Sequence, residues 1–104
     1  MADCLWILST TVASEEEAKT LARSAVESRR AACAQIDPSI QSLYIWQNAL
    51  EESEEWRILL KTTPEGKEAL VDWIKARHPY EVPEILLWSA ESANSDYTKW
   101  AREV

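Results

Sequence analysis

Apolar residues recur along this chain with two different periods, and the changes of period divide it into elements. Cys4 to Thr11, CLWILSTT, is a short, apolar, β-rich run of the length of a buried strand. In the following SEEEAKTLARSAVESRR, residues Ala18, Leu21, Ala22, Ala25 and Val26 fall at i, i+3, i+4, i+7 and i+8, one apolar face of a helix. Ser14 opens that helix with Glu17 three residues on, the two halves of a capping box. The acids of its first turn suit the positive end of the helix dipole, and Arg29 and Arg30 suit the negative end.

A second extended region runs from Ala32 to Trp46. Pro38 and Ser39 interrupt it, which predicts a bulge or bend on an edge strand. Gln47-Asn48 is the predicted hairpin turn, because Asn tolerates the positive φ that a tight hairpin needs. The strand returns over Glu54 to Thr62, where Trp56, Ile58 and Leu60 alternate against Arg57, Leu59 and Lys61. After the hairpin, Glu51, Glu52, Glu54 and Glu55 form an acidic run that reads as a solvated loop. Pro64 suits the first position of a second helix capped by Thr63, with Leu70, Trp73, Ile74 and Arg77 on one face. Pro79 ends that helix at or before His78. Pro83 to Ser89 is the fourth predicted strand. A short last helix, capped by Asn94 or Ser95, carries Tyr97, Trp100, Ala101 and Val104 on one face.

The order β-α-β-β-α-β predicts an α+β, ferredoxin-like fold: a four-stranded antiparallel sheet with a short C-terminal helix, in one domain spanning 1–104. Right-handed crossovers put both main helices on one face of the sheet. Trp6, Trp56 and Trp88 lie on three different strands, and two helices cannot hide all of them. A wide apolar sheet face implies an oligomer.

Composition narrows the function classes. Hydrophobic residues make up 46% of the 104, enough for a packed core, and the formal net charge is −7. An acidic surface repels phosphate backbones, so nucleic acid is not an expected partner. No run approaches the roughly 20 apolar residues that cross a bilayer, and Met1-Ala2-Asp3 has no basic leader. Membrane association is therefore not expected. Cys4 and Cys33 lie far apart, which fits two free thiols in a reducing cytoplasm. With one histidine and one glycine, and no phosphate-binding loop, zinc spacing or nucleophile elbow, the chain is not expected to be an enzyme.

The chemistry that remains centres on HPYEVPEIL, residues 78–86. Two prolines stiffen it and deliver His78, Tyr80 and Glu84 to one neighbourhood. Read alone, His78 is either a metal ligand or acid/base group, or a side chain that closes the helix end. Cys33, among small residues, is either a small buried hydrophobe or a soft ligand for copper(I). Lys61 is either a lysine whose stem packs along the sheet, or an anion-binding charge facing Glu84 or a ligand in a cleft between subunits. Trp46, Tyr80 and Tyr97 line such a cleft or pack in the core or an interface.

In order and spacing, SEEEA, RRAACAQI, SLYIW, LLKT, HPYEVPEIL and DYTKW resemble the CutA family of divalent-cation tolerance proteins. The resemblance implies a ferredoxin-like subunit of a cytoplasmic homotrimer that binds divalent cations, copper foremost. It makes His78 and Cys33 the metal candidates, and Trp46, Lys61, Tyr80, Glu84 and Tyr97 the candidates for a ligand cleft. Where some members carry a further cysteine and histidine, this chain has Thr10 and Arg77, so the copper binding expected is weak. The trimer resembles that of the PII signalling proteins, which makes a regulatory module binding a small anionic metabolite the alternative.

Overall fold

The computed structural model describes residues 3–104. The elements run β1 (Cys4–Val12), α1 (Glu15–Glu27), β2 (Cys33–Ile36), β3 (Ile40–Trp46), β4 (Ala49–Thr62), α2 (Lys67–Arg77), β5 (Leu86–Glu91) and α3 (Ser95–Glu103). Four strands form an antiparallel sheet in the order β2-β4-β1-β5, the ferredoxin-like arrangement, and β3 adds a fifth by pairing with β4.

The alternation of β1 and β4 places the core. Leu8 and Val12 of β1 and Ile58 and Leu60 of β4 point to one face, where Ala18, Leu21, Ala22 and Ala25 of α1 and Leu70, Trp73 and Ile74 of α2 close over them. Ser14 caps α1 and pairs with Glu17 as expected: its hydroxyl accepts from the Glu17 N–H at 3.1 Å and donates to the Glu17 carboxylate at 3.0 Å. The other face is partly closed. Leu5, Ile7, Ser9 and Thr11 are buried, whereas Leu86 and Trp88 of β5 stay open.

Four details depart from the sequence reading. Asp37 to Ser39 breaks the second extended region into two strands, and both pair with the single long β4. The acidic run is not a loop: Glu51 to Glu55 are strand residues paired with β3, because the turn at Gln47 and Asn48, with φ 51° and 66°, starts the return strand at once. Residues 63–66 form a tight turn ahead of α2, in which the Gly66 N–H meets both the Thr63 hydroxyl and its carbonyl at 3.1 Å. The helix therefore begins at Lys67 rather than at Pro64. A Cβ at Gly66 would come within 2.9 Å of the Thr62 hydroxyl, so a larger residue there would have to displace that side chain. Finally β5 begins at Leu86, opposite Ser9, past the proline that has no N–H to give the ladder.

The first half of β4 and all of β3 project beyond the end of β1, which stops opposite Trp56. This arm makes the molecule long and narrow, 46 × 25 × 24 Å.

Candidate functional site

The C-terminal end of α2 lies against the end of β1, and this junction orients His78. Its Nδ1 accepts the Tyr80 N–H at 3.0 Å, so Nδ1 is the unprotonated nitrogen of the neutral ring. The proton then sits on Nε2, which donates to the buried Thr10 hydroxyl at 2.9 Å. Protonating the ring would break the bond from Tyr80. Burial holds its pKa below the ordinary value, against the upward pull of the Thr11 carbonyl and of the Glu17 and Glu55 carboxylates. Thr10 thus touches the histidine. Arg77 turns away, its guanidinium 4.5 Å from the Trp73 ring centre.

From His78 the connector carries Tyr80 to the arm. The Tyr80 hydroxyl donates to Glu55 Oε2 at 2.7 Å, and its ring lies 5.0 Å from that of His78. Burial, then the Glu55 carboxylate, pushes the phenol pKa well up, so Tyr80 remains a donor at any working pH. Glu55 is only 8% exposed. Between the arm and the connector opens a recess of about 620 Å³, walled by Tyr44, Trp46 and Tyr80 and rimmed by Glu51, Glu55, Glu81 and Glu84. Among the described residues no lysine or arginine lines it.

The candidates from the sequence thus separate into two groups. His78 stands behind the recess that Trp46, Tyr80 and Glu84 line. Lys61 and Cys33 are paired neighbours near the other end of β4, opposite Ile7, and the Lys61 ammonium lies 5.9 Å from the Tyr97 ring centre. Within one chain Lys61 and Glu84 are not brought together, for β4 holds Lys61 four residues beyond Arg57, the partner of Thr11 at the recess. Glu55 and Thr10 were missed as site residues. The parity of Glu51, Ser53 and Glu55 was the available signal, since alternate residues of a strand share a face.

Metal fits the single chain poorly. Both nitrogens of His78 are in use, Cys33 is remote from it, and no group of three or more His, Cys, Asp or Glu among the described residues could hold an ion.

An α+β sheet order of this kind, with a long two-stranded arm and a recess at its root, defines a class of small ferredoxin-like proteins. The model of the CutA1 divalent ion tolerance protein family matches residues 6–104, and the chain belongs to that family. The divalent-cation tolerance protein CutA of Thermus thermophilus is 42% identical over 97 residues, 93% of this chain and 94% of its own. The solved CutA of Synechococcus elongatus PCC7942 superposes with a TM-score of 0.93 at 39% identity, covering 99% of this chain and 92% of that one. The same cyanobacterial protein, solved complexed with a Bis-Tris molecule, superposes at 0.87 with 40% identity, covering 99% and 94%. No helix among the described residues is long and apolar enough to cross a membrane.

Proposed function

We propose that the chain acts as a single-domain, non-enzymatic subunit of a cytoplasmic homotrimer that binds divalent cations, copper foremost. The observation that carries the cation reading is the charge of the recess, where four glutamates stand with no basic side chain among the lining residues. The open apolar side chains support assembly: Leu43, Ile45, Leu50, Val82 and Leu86 are each more than half exposed.

His78 is the proposed nitrogen ligand. A copper ion must displace either the Tyr80 N–H or the Thr10 hydroxyl to reach it, so binding is weak, and it competes with the proton. Cys33 is a separate thiolate candidate for copper(I). Calorimetry with copper(II) at pH 7.5 and 5.5 tests the main site. Saturable binding is expected at the higher pH, fading at the lower and lost in His78→Ala. Unchanged binding in that variant would move the site to the carboxylates or the N-terminus.

One observation favours the second reading, a PII-like module for a small anionic metabolite. Lys61 makes no ion pair among the described residues. Thermal melting of Lys61→Met with and without phosphate-bearing metabolites separates the two readings. Ligand stabilisation seen in wild type and absent in the variant would favour the anion site; the metal reading expects no ligand effect in either.

A further inference from the structure

We propose that the small cavity where the end of α1, the end of β4 and the start of α2 meet binds a free tetrahedral oxyanion, inorganic phosphate or sulfate. It lies at the opposite end of β4 from the recess and goes beyond the cation reading.

The charge of the cavity runs against that of the chain. Acidic residues outnumber basic ones by 18 to 11, yet Arg29, Arg30 and Arg102 all line this one cavity. No aspartate or glutamate side chain among the described residues lines it. Arg29 and Arg30 make no ion pair among the described residues. Arg102 is steadied by Glu65, at 3.2 and 3.4 Å, through a single guanidinium nitrogen, which leaves it further N–H groups to donate. Two unpaired guanidinium forks beside a third call for an anion, and the fork matches the oxygens of a phosphate or sulfate.

The local backbone builds the cavity and holds it open. The turn that carries Arg29 and Arg30 is tied to the end of β4 twice. The Ala32 N–H donates to the Lys61 carbonyl at 2.9 Å, and the buried Thr62 hydroxyl donates to the Arg30 carbonyl at 3.4 Å. Gly66, the only glycine of the chain, forms part of the opposite wall. A Cβ there would stand 2.9 Å from the Thr62 hydroxyl and 3.2 Å from that of Thr63. Two hydroxyls thus converge on a space that stays empty because the residue facing them has no side chain. No side chain caps α2 at Gly66, so N–H groups of its first turn add to the donors. Size then selects the ligand. At about 130 Å³ the cavity is well below the volume of ordinary small-molecule sites, so it takes the ion itself rather than a metabolite carrying one.

Amide NMR tests the assignment, with sodium phosphate and sodium sulfate titrated at pH 7.5 and sodium chloride adjusted to hold the ionic strength constant. Saturable shifts are expected from both ions, clustered at residues 29–32 and 66–69. Arg29→Gly removes one guanidinium at a backbone position, φ 65°, that glycine adopts freely, so the fold is kept. Arg30→Gln removes the other. Each should weaken binding at least about tenfold, the worth of one charge-assisted hydrogen bond. Lys61→Met, whose side chain leaves β4 on the face opposite Thr62, should bind phosphate as wild type does. Ribose 5-phosphate, too large for the cavity, should give no saturable shifts at these residues. Shifts that do not saturate or that spread over the whole surface overturn the proposal, as do two arginine variants that bind like wild type. Loss confined to Lys61→Met overturns it in favour of the anion cleft of the second reading. Binding of the ester as tight as that of phosphate overturns the assignment to a free ion.

Discussion

His78, the only histidine, spends both ring nitrogens inside the chain, one on the backbone of Tyr80 and one on Thr10. Folding favours the neutral ring, so its folded pKa lies below the unfolded value of about 6.5. The stabilisation from this neutral ring is therefore complete above that unfolded value and is lost as the pH falls through the folded one. A ring titration followed by NMR should place the His78 midpoint below 6.5; a midpoint at or above it would refute the geometry. Tyr80 offers a second check. Tyr80→Phe strips the donor from a buried carboxylate, and such losses run to about 1–3 kcal/mol. Urea unfolding should show that fall, and a change inside roughly 0.5 kcal/mol, ordinary for a surface site, would mean Glu55 is solvated. The two prolines beside His78 announced a stiff connector, but nothing in the one-dimensional pattern named Thr10, 68 residues away, as its partner.

Local rules decided most of the elements. The end of α1 follows one not noticed in the sequence: the Arg30 N–H reaches the Ala25 carbonyl at 2.9 Å and the Arg29 N–H that of Val26 at 3.0 Å, the Schellman motif. Arg29 sits in the left-handed region at φ 65°, where glycine is the usual occupant. Arg29→Gly relieves about 1–2 kcal/mol of steric cost and gives back part of it as chain entropy, for a net gain of about 0.5–1 kcal/mol. Thermal melting should show the variant more stable; a lower melting temperature would mean that the arginine side chain contributes something the motif does not. The hairpin at Gln47-Asn48 was legible because two adjacent positive-φ residues are what a two-residue loop demands. The strand character of Glu51 to Ser53 was hidden, since charge density reads as solvent exposure whichever backbone carries it.

The whole molecule shows more apolar surface than one chain can keep in water. Leu43, Ile45 and Leu50 on the arm, Val82 on the connector and Leu86 on β5 are each over half exposed. Light scattering at micromolar concentration should give three times 11.9 kDa; a stable monomer would remove the basis for a homotrimer. Leu50→Lys and Leu86→Lys sharpen the test. Each would be nearly neutral on a monomer, whereas a lysine buried at an interface must shed its water without a partner. Both variants should therefore dissociate the assembly, and two intact trimers would place the interface elsewhere.

The sequence by itself determined the three helices, the first and last strands, the ferredoxin-like plan, the hairpin turn and the family. The family is carried by the resemblance of its motifs, and the rest by periodicity, by caps and by the φ demands of single residues, all local along the chain. Tertiary structure alone decided that β4 serves both β2 and β3, that Lys61 and Cys33 lie apart from the histidine, and that Glu55 is buried under Tyr80. Those outcomes depend on strand register and on where the arm outruns β1, and register is a property of two segments at once. A run of glutamates carries no mark of which one will face a tyrosine 25 residues away.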